Sequence, residues 1–173
     1  MAVWSVSLSE TDGRKGLLTG PLFEAPCALG RGGMVADSSK REGDGATPIG
    51  SYPFRYAFYR PDKVEEPLSC LPVKMLKPDF GWCDDTESPH YNKLVRLPFG
   101  PSHEKMWRDD DVYDLIIVIG HNDDPVVPGH GSAIFMHIAR EGFTPTEGCV
   151  ALKIDAFKRF LRLVGPDDIL KIG

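Results

Sequence analysis

The run Tyr113 to Ile119, Y-D-L-I-I-V-I, is the most apolar and most β-branched stretch of the chain. Such side chains favour the extended backbone, and a run without polar alternation belongs inside a sheet. It is expected to form a central buried strand. His121-Asn122-Asp123-Asp124 ends it in a turn. Ser132 to Ala139, S-A-I-F-M-H-I-A, is the expected neighbour, with Gly129 to Gly131 as the loop between. Antiparallel pairing of these two runs would place His137 at one end of the sheet.

More strands are expected on both sides of this pair. Val3 to Leu8 alternates as a half-buried strand, and Thr11-Asp12-Gly13 is a turn. Leu17 to Leu29 is a second extended region, broken by Pro21 and Pro26. Gly30-Arg31-Gly32-Gly33 lacks the Lys-Ser/Thr of a phosphate loop, and no clear helix follows, so it reads as a turn. Met34 to Ile49 is polar and rich in turn residues. Ser51 to Arg60 sets Tyr52, Phe54, Tyr56 and Phe58 at alternate positions, a strand whose aromatic stripe packs into the core.

Pro61 to Asp111 is rich in proline and charge, with little sustained periodicity. So long a weakly regular stretch reads as a lid or wall over a cleft. Ile154, Phe157, Phe160, Leu161 and Val164 have the spacing of an amphipathic helix over Lys153 to Val164, with Leu152 to Gly165 as its outer limits. Gly165-Pro166 stops it, and Ile169 to Ile172 is a last strand. The expected fold is mainly β: a mixed β-sandwich or partly closed barrel with one amphipathic helix in the C-terminal half. The long irregular lid would span 61–111, and residues 1–173 form a single domain.

The chemistry points to T-P-T-E-G-C-V-A, Thr144 to Ala151. Cys149 follows a glycine, at the junction between a loop and the next regular element. His137 lies on the strand upstream, with enough chain between them to fold back. A thiol with an ordinary pKa of ~8.5 is mostly protonated at neutral pH, and an adjacent imidazole can take its proton. Gly148 would let backbone approach a substrate carbonyl, and amides near Cys149 could face an oxyanion. The plainer alternative is a small buried cysteine and a core histidine among Ile, Phe and Met.

The run H-I-A-R-E-G-F-T-P-T-E-G-C-V-A resembles the signature of the L,D-transpeptidase catalytic domain, the YkuD-type family. That signature is a strand His, a loop, then Ser/Thr-His-Gly-Cys, an apolar residue and Asn or Arg. His137 matches the strand His, Thr146 the Ser/Thr, Gly148 the Gly, Cys149 the nucleophile and Val150 the apolar position. Upstream, K-R-E-G-D-G-A-T-P-I-G-S-Y-P-F, Lys40 to Phe54, resembles the family's Gly-rich stretch leading into T-P-x-G and a strand. Glu147 stands where the family has a second His, and Ala151 where it has a polar residue. The resemblance implies a cysteine nucleophile, a thioester intermediate and peptidoglycan stem peptides as partners, with no cofactor. It implies the cell envelope or periplasm as the place of action. Arg140, Thr146, Glu147, Trp82 and Tyr91 are candidate substrate contacts, Arg140 for a carboxylate.

Composition bounds the other classes. Of 173 residues, 42% are hydrophobic and 26% charged, as in a globular protein. A net charge of -5 argues against nucleic acid, which needs clustered cations. No apolar run approaches the ~20 residues of a membrane span. The N-terminus has neither the basic nor the apolar region of a secretory signal, so it reads as cytoplasmic or as lacking its export segment. Cys27, Cys70 and Cys83 allow at most one disulfide, and no Cys-x-x-Cys suggests structural zinc. A metal-dependent hydrolase would use His121, His130 and His137 with Asp123 or Asp124. A non-catalytic envelope-binding module is the remaining alternative, motivated by Glu147 and Ala151.

Overall fold

The computed structural model describes residues 1–173. In chain order the strands are β1 (Val3–Leu8), β2 (Lys15–Gly20), β3 (Phe23–Ala28), β4 (Met34–Ala36), β5 (Thr47–Tyr59) and β6 (Val73–Met75). There follow β7 (Phe80–Cys83), β8 (Leu94–Arg96), β9 (His103–Lys105), β10 (Leu115–Ile119), β11 (Phe135–Ile138) and β12 (Val150–Leu152). The helix α1 (Ile154–Leu161) and the last strand, β13 (Ile169–Ile172), complete the chain.

The main sheet runs β10-β11-β12-β3-β2-β1-β13-β5-β4, with β6 also beside β5. A further pairing of β5 with β10 joins this path back on itself, closing a barrel-like ring. The closure depends on the length of β5. Gly50 to Pro53 pair with β13, whereas Phe54 to Tyr59 pair with β10. A register irregularity between Val118 and Ile119 falls at the β10 end of this seam.

Strand β10 has the expected central position, paired with β5 on one side and β11 on the other. Every one of its residues is buried. Its period of two explains why it carries no polar face. Leu115, Ile117 and Ile119 point into the barrel core, while Ile116 and Val118 join a second apolar cluster on the outer face. Strand β11 divides the same way: Met136 and Ile138 go inward and Phe135 outward. His137 has the parity of Phe135 and so shares its outward face.

The barrel interior is sealed by α1. Phe157, Phe160 and Leu161 lie fully buried at i, i+3 and i+4 spacing. The Phe160 ring meets Trp4 at 4.7 Å, Phe23 at 5.6 Å and Phe54 at 5.7 Å. The helix is shorter than its apolar spacing suggested. Val150 to Leu152 are committed to sheet hydrogen bonding between β11 and β3, so Leu152 cannot begin the helix.

The stretch from Pro61 to Asp111 contains β6 and a separate small sheet of order β8-β7-β9. The small sheet lies over the outer face of β10 and β11. Phe80 and Trp82 of β7 share an apolar cluster with Phe58, Ile116, Phe135 and Cys149. The wall expected from sequence is thus partly regular, with strands too short to show a period.

Candidate active site

Two parallel neighbours, β11 and β12, position the candidate nucleophile and base. Met136 pairs with Val150 and His137 with Ala151. Cys149 stands one residue before that ladder, on the face carrying Phe135 and His137. The Phe135 N–H approaches Cys149 Sγ at 3.4 Å, and the thiol donates to the Ala133 carbonyl at 3.3 Å. Ala151 is buried directly beside His137.

The turn before Cys149 is braced from within. Thr146 Oγ1 donates to the Cys149 carbonyl at 2.7 Å and accepts the Gly148 N–H at 3.1 Å. Gly148 has φ +127°, and a Cβ there would sit 2.7 Å from the Ala46 carbonyl oxygen. Its small size therefore admits Ala46 of the G-D-G-A-T-P stretch. The Gly148 N–H is spent on Thr146. The Cys149 N–H, like that of Glu147, has no acceptor in the chain and is free to meet an oxyanion.

The turn is also held from outside. Thr146 N–H donates to the Leu29 carbonyl at 2.9 Å, and Arg31 N–H donates to the Thr146 carbonyl at 2.8 Å. The glycine-rich turn after β3 is thus a brace for the loop of Cys149. Arg31 continues it outward, its Nε lying 3.0 Å from Glu147. That pairing offsets part of the Glu147 charge, which still borders the cavity and opposes the Cys149 thiolate.

His137 is buried and its Nδ1 lies 2.9 Å from the Ile138 carbonyl oxygen. A carbonyl only accepts, so the neutral ring carries its proton on Nδ1 and presents a lone pair at Nε2. Tyr113 stacks edge-on against the ring at 5.6 Å. Burial lowers the His137 pKa to about 4, with Arg140 and Arg108 acting in the same direction. Burial raises the Cys149 thiol to about 12, against the Phe135 N–H, which favours the thiolate. Both groups are neutral at pH 7, and the thiol proton points to Ala133 rather than to His137.

Cys149 and His137 line one cavity of about 580 Å³. Its wall carries both signs of charge: Lys40, Arg108 and Arg140 against Glu42, Asp84, Glu104 and Glu147. Glu104 accepts the Tyr113 hydroxyl at 2.5 Å, and burial raises its carboxyl pKa. Arg108 holds Asp110 well below the usual carboxylate range, at 2.7 Å. Arg140 shares Asp110 at 3.2 Å while bordering the cavity.

The candidate contacts divide accordingly. Arg140 and Glu147 reach the cavity, and Thr146 shapes the turn. Trp82 is buried, donating to Asn92 Oδ1 at 2.9 Å, and lines a different depression. Tyr91 is buried too, and acts through Glu42, to which it donates at 2.5 Å. Lys40, Glu42, Glu104 and Arg108 were not singled out. Lys40 and Glu42 sit inside the K-R-E-G-D-G landmark, which was the available signal; Glu104 and Arg108 lie on an isolated short strand and its exit.

The four cysteines are unpaired. The metal-hydrolase set does not assemble. His137 faces the cavity, His121 and His130 gather around Asp37, and Asp123 pairs with Arg55 at 2.7 Å.

The profile of the L,D-transpeptidase catalytic domain (YkuD) matches residues 11–172. The chain belongs to that family, whose members act on peptidoglycan peptides of the cell wall. Among solved structures it is similar to L,D-transpeptidase 1 of Mycobacterium tuberculosis, at 12% identity and a TM-score of 0.41, over 99% of this chain and 62% of that one. The chain therefore spans less than two thirds of that protein's length. No curated protein matches. No helix is long and apolar enough to cross a membrane.

Proposed function

We propose that this protein transfers acyl groups through a thioester on Cys149, with a peptidoglycan stem peptide as donor. The carrying observation is that Cys149 and His137 border one cavity while Nδ1 of His137 is committed to the Ile138 carbonyl, leaving Nε2 as the base. The cavity's mixed charge suits a peptide that bears both carboxylates and an amine.

The resting pair is neutral, so the thiol proton moves to Nε2 as sulfur attacks the carbonyl that follows the diamino-acid residue. The Cys149 N–H receives the developing oxyanion. Collapse breaks the C–N bond, and the imidazolium returns its proton to the departing terminal D-amino acid. An amine of a second stem, or water, then attacks the thioester. It passes a proton through His137 and restores the thiol. The amine gives a cross-link and water gives a trimmed stem.

Intact-mass analysis with a tetrapeptide stem tests this reading. The expected result is an acyl adduct or released D-amino acid with the unchanged protein, and neither with Cys149→Ser. No adduct and no product from the unchanged protein would reject it. The thiol's bond to Ala133 rather than to His137 favours a second reading, a non-catalytic module that binds envelope peptides. Binding of the stem without turnover, together with a Cys149 inert to alkylation across the alkaline range, would select that alternative.

A further inference from the structure

Away from the catalytic cavity, three segments bring metal-binding side chains to one point. Asp37 lies in the single 3-10 turn Asp37–Ser39 after β4, His121 in the turn that ends β10, and His130 in the following loop. One donor atom from each lies within 4.8 Å of the other two. His121 Nε2 is 3.3 Å from Asp37 Oδ1, and His130 Nε2 is 3.4 Å from Asp37 Oδ2. The imidazoles stack at 5.6 Å with 16° between their planes.

His121 is the anomaly that asks for a ligand. Its side chain is 1% exposed, yet neither ring nitrogen has a hydrogen-bond partner, and at 3.3 Å the ring is not aligned to bond Asp37. A buried polar group left without a partner is costly. A stacked pair of histidines beside a carboxylate does not by itself account for that. A cation accepting the Nε2 lone pair would, leaving only Nδ1 unmatched.

The two distances from Asp37 also fit, one at each carboxylate oxygen. Bonds of about 2.0–2.2 Å in tetrahedral coordination put neighbouring donor atoms roughly 3.3–3.5 Å apart. Two imidazoles and one carboxylate favour a borderline ion of the zinc type over calcium or magnesium, which take oxygen donors. The Tyr52 hydroxyl donates to Asp37 Oδ1 at 3.1 Å, an outer contact that orients the carboxylate. Asp37 is half exposed, which provides an entry path and room for water at the remaining position. The ammonium of nearby Lys40 is neutralised by Asp44 at 2.5 Å.

We propose that Asp37, His121 and His130 bind one divalent transition-metal ion of the zinc type, which staples the segment 37–43 to the segment 121–133 beside the catalytic cavity. These segments already touch. The Glu42 N–H donates to the Gly129 carbonyl at 2.9 Å, and a Cβ on Gly131 would lie 3.2 Å from His121 and 3.3 Å from Lys40. The first segment brings Lys40, Glu42 and Gly43 to the cavity, and the second brings Ser132 and Ala133. The ion would therefore fix a wall of the cavity without touching the thiol.

The inference is independent of acyl transfer, since its test needs no turnover. Zinc is titrated into the metal-stripped full chain against a chromogenic chelator, and melting temperature is followed with and without zinc. One equivalent should bind and raise the melting temperature, in the unchanged protein and in Cys70→Ser and Cys149→Ser alike. Asp37→Asn and His130→Gln should each weaken binding at least about tenfold while melting near the unchanged protein without zinc. Cobalt substituted for zinc should give the spectrum of nitrogen and oxygen ligation, with no thiolate charge-transfer band. Undiminished binding in both variants, binding lost with either cysteine, or no binding by the unchanged protein would overturn the proposal.

Discussion

Gly148 shows how much of the site rests on a single backbone position. With φ +127° and the Ala46 carbonyl 2.7 Å from any added Cβ, Gly148→Ala meets strain and a clash together. A loss of about 1–3 kcal/mol in urea unfolding is expected, with a larger fall in acylation rate because the Cys149 amide moves. Cys149→Ser should keep the fold and reduce turnover at least about a thousandfold. Glu147→Gln is expected to lower the thiol pKa slightly and to change the acylation rate by no more than about twofold, because Glu147 opposes the thiolate but is exposed and paired with Arg31. A marked fall in rate would mean that Glu147 orients His137 after all. The buried, neutral thiol sets a further expectation. Alkylation of Cys149 should rise about tenfold per pH unit through the alkaline range with no plateau near neutrality. A plateau below pH 7 would instead reveal a thiolate–imidazolium pair. At this scale a motif drew attention to Cys149, His137 and Gly148, and the first two border one cavity. Glu104 and Arg108 were hidden because an isolated charged residue looks the same on a cavity wall as on a solvated face.

Among the elements, β12 was concealed. Val150 and Ala151 read as the end of the loop and Leu152 as the start of the helix, although together they hold Cys149 beside His137. Strands β7 to β9 escaped for a similar reason: runs of three or four residues are too short to display a period. By contrast β1, β5, β10 and α1 were legible from alternation, β-branching or helical spacing. Strand β1 also depends on a contact that no local pattern announces. Asp168 accepts the Trp4 indole N–H at 2.9 Å and the Gly165 amide at 2.9 Å, tying the entry of β13 to β1. Asp168→Ala should lower the unfolding free energy by about 1–3 kcal/mol, measured by urea denaturation, because Trp4 is left with an unpaired buried donor.

For the molecule as a whole, the mainly β, partly closed barrel was expected, while its closure was not legible strand by strand. It rests on pairings between distant segments, β1 with β13 and β5 with both β13 and β10. The buried titratable groups bound its stable pH range. Burial holds the His137 pKa at about 4, below its ordinary 6.5. Its contribution is therefore present above pH 6.5 and lost as pH falls towards 4. The Cys149 thiol, raised from 9.0 to about 12, contributes below pH 9 and loses that contribution as pH rises towards 12. Chemical denaturation at stepped pH should show stability declining on both flanks. A profile flat from pH 6.5 to 4 would contradict the burial of His137. The seating of Cys149 within the apolar cluster shared by the barrel and the small sheet has an evolutionary corollary. Widening the cavity for a bulkier acceptor means thinning packing at Val112 or Tyr113, which line it and belong to the same cluster. Variants selected for broader substrate range should therefore emerge with lower melting temperatures, and recover when combined with stabilising changes elsewhere in the barrel.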